Sequence, residues 1–195
     1  MVDKELGHLQ PFDHEDVAKW RDALHFGSSQ RHLNTLHAPT QILFGGGLDD
    51  VWENTVTGEL HIVEYKSTGS TTNKPREFSV QKLNASWYQG YKKQVEMYQW
   101  LLRRKEFQVS DIAYFVYVDG TAIDRHGMIN KGNLRESWMK FNNFLFSYEG
   151  DDSWVEDALF LAKKVVQQPD CPEHSDSCEH KDFYVNYGRA MGFPA

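Results

Sequence analysis

Only two cysteines, Cys171 and Cys178, occur in the 195 residues. That is too few for a disulfide framework, and a bridge across their short loop is not favoured in a reducing compartment. With His174 and His180 they suggest a zinc site on paper. One residue between Cys178 and His180 is too tight for a usual zinc knuckle, so zinc at Cys171, His174 and Cys178 is not expected, and both cysteines read as ordinary reduced thiols. No apolar run approaches about 20 residues, which leaves no candidate membrane span and no membrane partner. No charged-then-apolar leader opens the chain, so no signal peptide is expected and the cytoplasm is the default residence. Positive charge is also scarce: 21 Lys and Arg stand against 28 Asp and Glu, a formal net charge of −7. Proteins that grip nucleic acid mainly through its phosphates are usually basic, so tight non-specific duplex binding by this chain alone is not expected. Internal repeats and domain linkers are absent too. A single domain over 1–195 is expected, with a core over about 40–168 and a tail over 169–195.

What the chain does have is concentrated in residues 45–68, GGGLDDVWENTVTGELHIVEYKST. Asn54, Thr55, Val56, Thr57, Gly58 and Glu59 are rich in turn formers, with one glycine able to take positive φ. The flanks, LDDVWE and LHIVEYK, carry the β-branched and aromatic residues that strands favour. A hairpin folded near Val56 and Thr57 sets Asp49 opposite Glu64 and Tyr65, a register that a one-residue slip would undo. Side chains alternate along the second strand, so Leu60, Ile62, Glu64 and Lys66 share one face and His61, Val63 and Tyr65 the other. An apolar run ending in Glu and Lys on the same face is odd for a plain buried strand, because two ionisable groups are costly to bury unless they pair or bind a metal. Mg²⁺ prefers oxygen ligands, often one or two carboxylates with waters and substrate phosphate. Lysine is a compact cation suited to orienting a water or steadying charge that develops on phosphate. Glu-x-Lys alone is common as a surface ion pair. Asp49 after a glycine run, a hairpin-length spacer and then Glu-x-Lys-Ser-Thr is a much rarer combination. These are the parts needed to hold Mg²⁺ beside a phosphodiester and hydrolyse it.

The rest of the chain supplies a frame. Residues 13–26 read as an opening helix with Asp13 as N-cap and Gly27 as stop, and 40–44 as a first strand. Residues 69–84 are polar and read as a loop bordering the site. From 85 to 105 there is no proline, and Tyr91, Val95, Tyr98, Leu101 and Leu102 recur at helical spacing, which is most simply core packing. Gln94 and Tyr98, four apart, share one face of that helix. Residues 112–118 form a fully apolar strand of the kind buried in a sheet, ended by Asp119-Gly120. Residues 141–148 read as another strand nearer an edge. Residues 153–168 read as a helix capped by Ser153, with Glu156 at the capping-box position and Pro169 beyond its end. Strands between helices predict an α/β fold with a central mixed sheet flanked by helices.

Gly46 to Asp49, then Glu64-Tyr65-Lys66, then Gln94 to Tyr98 on the next helix resemble the PD-(D/E)XK nuclease superfamily. The likeness is to its RecB-type and CRISPR-associated exonuclease branch, whose pattern is Gly-x-x-Asp, Asp/Glu-x-Lys and Gln-x-x-x-Tyr. It covers roughly residues 40–185 and implies a restriction-endonuclease-like core. It also implies a Mg²⁺- or Mn²⁺-dependent deoxyribonuclease acting on DNA ends or single strands in repair, recombination or defence. By this resemblance Asp49, Glu64 and the Tyr65 backbone carbonyl bind the metal, Lys66 positions the attacking water, and Gln94 supports the site. A histidine from an early helix would lie near the metal: His25 by position, with His32 and His37 competing. Tyr98 and Trp87 are candidate substrate contacts; among the abundant aromatics, Trp87 or Tyr88 beside the polar loop is the candidate for stacking on a base. Many members close with Cys-x-x-Cys-x-Tyr and hold an iron–sulfur cluster. Here Lys181 stands at the second cysteine's place and Phe183 at the tyrosine's, and no cysteine precedes Cys171. Two thiolates are present where about four are needed, so no cluster is expected. The acidic charge suits a short site, a single-stranded end, or a basic protein partner. It also keeps a second reading open, a nuclease-fold module that no longer cuts and serves as a scaffold or nucleic-acid-binding subunit. RNA as substrate is not excluded by the sequence.

Overall fold

The computed structural model describes residues 4–22, 33–70, 79–122, 132–137, 139–170, 172–175, 178 and 180–192. Its organising element is strand β5 (Leu60–Ser70). Leu60, His61, Ile62, Val63 and Glu64 are all buried, so both faces of the strand are covered, as a position inside a sheet requires. On one side β4 (Asp50–Asn54) pairs antiparallel with it; on the other β6 (Ile112–Ala122) pairs parallel. Beyond these lie β1 (Leu9–Pro11) against β4 and β7 (Met139–Glu149) against β6, both antiparallel. The order is β1-β4-β5-β6-β7, and β7 is an edge. A separate antiparallel pair joins β2 (Asn34–His37) to β3 (Ile42–Gly45). This is the α/β class that the alternation of strands and helices predicts: a mixed five-stranded sheet flanked by helices.

Parallel neighbours cannot be joined by a tight turn, so β5 and β6 need a crossover. Helix α2 (Gln89–Arg104) supplies it, preceded by two 3₁₀ turns, Val80–Asn84 and Ser86–Tyr88. Val95, Tyr98, Leu101 and Leu102 of α2 are buried, as their spacing predicts. Glu96 is buried too, held by Tyr148 Oη at 2.5 Å and Trp154 Nε1 at 2.7 Å. At the start of the chain α1 (Val17–Trp20) sets Trp20 in an aromatic cluster with His14 and Phe107, at ring centroid distances of 5.2 and 5.4 Å.

Several boundaries differ from the sequence expectation. Thr40 and Gln41 belong to a turn rather than a strand, with Gln41 at φ 57°. Asp119-Gly120 does not stop β6, which runs on to Ala122. A Cβ on Gly120 would sit 2.7 Å from Met139 Sδ on the paired strand, so this glycine makes room for a cross-strand side chain instead of a turn. Glu156 does not close a capping box; it meets His37 Nε2 at 2.7 Å and pairs with Arg104.

The chain divides into two units, Met1–Glu156 and Asp157–Ala195. Helix α3 (Trp154–Val166) begins in the first, and α4 (Lys181–Ala190) lies in the second. Within the second unit His174 stacks on Tyr184 at 6.1 Å and its Nδ1 lies 3.5 Å from Cys178 Sγ; Cys171 falls outside the described residues. No described helix is long and apolar enough to cross a membrane.

Candidate active site

The β4–β5 hairpin brings the first two acidic residues together. Gly58 takes φ 75° in its turn, and Asn54 Oδ1 accepts from Val56 N and Thr57 N at 3.0 and 3.3 Å. The ladder begins with Asp50 opposite Val63, which leaves Asp49 one residue before it, beside Glu64. Tyr65 N donates to Asp49 Oδ2 at 2.8 Å. The loop carrying Asp49 is fastened from both sides: Gly46 N donates to Leu33 O and Leu48 N to Trp20 O, each at 3.0 Å.

Glu64 is 1 % exposed. Its Oε1 accepts from Lys66 Nζ, whereas its Oε2 is buried with no hydrogen-bond partner. Burial is the largest influence on its acidity and raises the carboxyl above the ordinary range; Lys66 and Gln94 pull it down and Asp49 pushes it further up.

Helix α2 completes the cluster. Lys66 Nζ donates to Gln94 Oε1 at 3.2 Å, and Gln94 Nε2 donates to Tyr98 Oη at 3.1 Å. Tyr98 Oη in turn donates to Gly47 O at 2.6 Å. The chain of bonds runs from the lysine through two helix residues one turn apart and back to the loop before Asp49. Gly46 fits this closure, since a Cβ there would stand 3.1 Å from Tyr98 Cε1. Burial is the chief cause of a raised Tyr98 pKa, to which Glu64 and Asp49 both add while Gln94 opposes. Tyr98 thus senses both carboxylates.

The other face of the hairpin holds a second network. Tyr65 Oη donates to Asp50 Oδ2 at 2.9 Å, and Asp50 also pairs with Arg21. Burial, then Asp50, pushes the Tyr65 phenol up to about 12. The Tyr65 side chain therefore points away from Lys66, as strand alternation requires.

Asp49, Glu64, Lys66, Gln94 and Tyr98 come together. His37 does not join them: it is buried between Thr40 Oγ1 at 2.8 Å and Glu156 Oε2 at 2.7 Å. His25 and His32 lie outside the described residues, as does the Trp87 side chain. Tyr91, read from sequence as core packing, is a site neighbour, with Lys66 Nζ 4.3 Å from its ring centroid. The signal for it was position: it stands one helical turn before Gln94 on the strip that reaches Tyr98.

The donor set suits a hard cation. Glu64 Oε2 is a buried carboxyl oxygen with no partner, and Asp49 adds a second carboxyl group beside it. Among the described residues no three His, Cys, Asp or Glu side chains are grouped to hold a metal ion. A cation here would rest on two carboxylates, completed by backbone oxygen and water, a pattern ordinary for Mg²⁺. Comparison with protein-family models, with characterised proteins and with solved structures finds no match.

Proposed function

We propose that this chain is a Mg²⁺- or Mn²⁺-dependent nuclease of the PD-(D/E)XK type, built on a restriction-endonuclease-like core and hydrolysing phosphodiester bonds in DNA. The observation that carries the reading is the meeting of Asp49, Glu64, Lys66 and Gln94 at one end of a hairpin, with one oxygen of buried Glu64 left without a partner. Asp49, Glu64 and the Tyr65 carbonyl would hold the cation, which when bound supplies a polarised phosphate and a more acidic water. Lys66 donates a hydrogen bond to the attacking water and balances charge that grows on the phosphate oxygens. As the water oxygen bonds to phosphorus it gives up a proton to solvent, the phosphorus–oxygen bond to the leaving nucleotide breaks, and the leaving oxygen takes up a proton from solvent. Gln94 keeps the lysine aimed, and Tyr98 keeps the Asp49 loop in place.

The net charge of −7 favours a substrate gripped over a short length, a single-stranded or terminal one, or a basic protein partner supplying further contact. DNA in repair, recombination or defence fits this chemistry. The same charge, with Lys66 already neutralising Glu64, favours the second reading, a nuclease-fold module that binds without cutting.

The test is cleavage of end-labelled single- and double-stranded DNA and of RNA with Mg²⁺ or Mn²⁺, beside Glu64→Ala and Lys66→Ala. Cutting that vanishes with EDTA and falls at least about a hundredfold in both variants is expected. No cutting of any substrate, together with no Asp49- and Glu64-dependent metal binding by calorimetry, would overturn the enzyme reading and leave the binding module.

A further inference from the structure

Among the described residues three groups surround the Lys66 ammonium, and they differ in kind. Glu64 Oε1 accepts from it, Gln94 Oε1 accepts at 3.2 Å, and the Tyr91 ring covers it at 4.3 Å from the centroid. An ammonium has three N–H directions on a flexible four-carbon stem, so two acceptors alone leave it a path to swing. A ring face is negative and attracts a cation without taking a directed hydrogen bond. Tyr91 is itself braced by Tyr88, whose ring centroid lies 5.4 Å away. The Lys66 side chain is 17 % exposed, which limits competition from water. The Glu64 bond is the least dependable of the three contacts, because any cation that claims Glu64 competes with Lys66 for the same carboxylate. Gln94 then gives a single neutral hydrogen bond, and the ring is the contact that does not compete.

We infer that Tyr91 is a positioning residue: its ring face, with Gln94, holds the Lys66 ammonium at the edge of the Asp49–Glu64 pair. The inference rests on the nuclease reading and deepens it by naming what aims the lysine. The phenol hydroxyl has no part in this role, so phenylalanine should replace tyrosine and leucine should not.

Two measurements test it. In metal-free protein carrying ¹³C-labelled lysine, the Lys66 ε-methylene protons, assigned with Lys66→Arg, should be shifted upfield by the Tyr91 ring current. Tyr91→Phe should keep that shift and Tyr91→Leu should abolish it. In cleavage assays Tyr91→Leu should lower kcat on the order of ten- to a hundredfold with KM within about twofold, the scale of loss that misplacing a catalytic group brings. Tyr91→Phe should restore most of the rate. A Lys66 resonance at its random-coil position in the parent protein overturns the inference whether or not Tyr91→Leu folds. So does a parent that cuts DNA while Tyr91→Leu cuts equally fast, or a Tyr91→Phe as slow as Tyr91→Leu. A parent that cuts nothing counts against the nuclease reading instead, and the resonance then decides whether the ring holds the lysine.

Discussion

Replacing Glu64 by glutamine should make the metal-free protein more stable at neutral pH. The side chain is 1 % exposed, and one of its oxygens has no partner. Burial outweighs the help from Lys66 and raises the folded-state pKa above its ordinary value of 4.5. A carboxyl whose pKa rises on folding favours the fold while protonated. Its contribution is complete below the unfolded pKa and is lost as pH climbs through the folded one. At pH 7 the ionised group is therefore a net cost, and glutamine, a neutral isostere, removes it. Each tenfold change in proton affinity corresponds to about 1.4 kcal/mol, and a chain of this size gains about 2–4 °C in Tm per kcal/mol, so Glu64→Gln should melt higher at pH 7 in EDTA, by about 3–6 °C for each pKa unit that burial adds to Glu64. The difference should close as pH falls towards 4. Circular-dichroism melts between pH 4 and 8 read it directly. Adding Mg²⁺ should reverse the order, because a ligand at a hundred times its Kd stabilises the form that binds it by about 2.7 kcal/mol. A Glu64→Gln protein that melts below the parent at pH 7 in EDTA would refute the account of the buried charge. Equal stabilisation of both by Mg²⁺ would refute Glu64 as a ligand.

Glu96→Ala should cost about 3 kcal/mol in urea unfolding, since it strips a buried carboxylate from the Tyr148 hydroxyl and Trp154 indole and leaves both donors unsatisfied. Tyr65 should titrate near pH 12 by tyrosinate absorbance, and Asp50→Asn should bring it back towards 10. The sign is again that of a raised pKa: the neutral phenol supports the fold up to its unfolded pKa, and that support fades as pH climbs through 12.

The hairpin was legible because each local signal agreed with the next. Turn formers with one glycine at positive φ, flanking strand residues and two-residue alternation all point to one register, and the ladder has it. The stripe on α2 was equally plain, though its start was not: no side chain caps it, and two 3₁₀ turns precede it. The end of β6 was misread because Asp-Gly is a turn signal only when nothing across the sheet needs the space. At Gly120 the Met139 side chain does. Likewise Glu156 sits at a capping position by spacing, yet His37 and Arg104, distant in sequence, claim it. Tyr91 belongs to the same class: an aromatic at core spacing reads as core until the strand beside it is shown to carry a lysine.

Chain separation sets an order on these contacts. Asp49 and Tyr65 are 16 residues apart and closed by a hairpin, whereas Lys66 meets Gln94 across 28 residues and Tyr98 meets Gly47 across 51. Closing a longer loop costs more entropy before any contact repays it. A nascent chain can therefore gather its two carboxylates as soon as the hairpin has emerged, while the lysine gains its helix tethers only after α2 has been made and docked. The two carboxylates can thus meet before the lysine is fixed beside them.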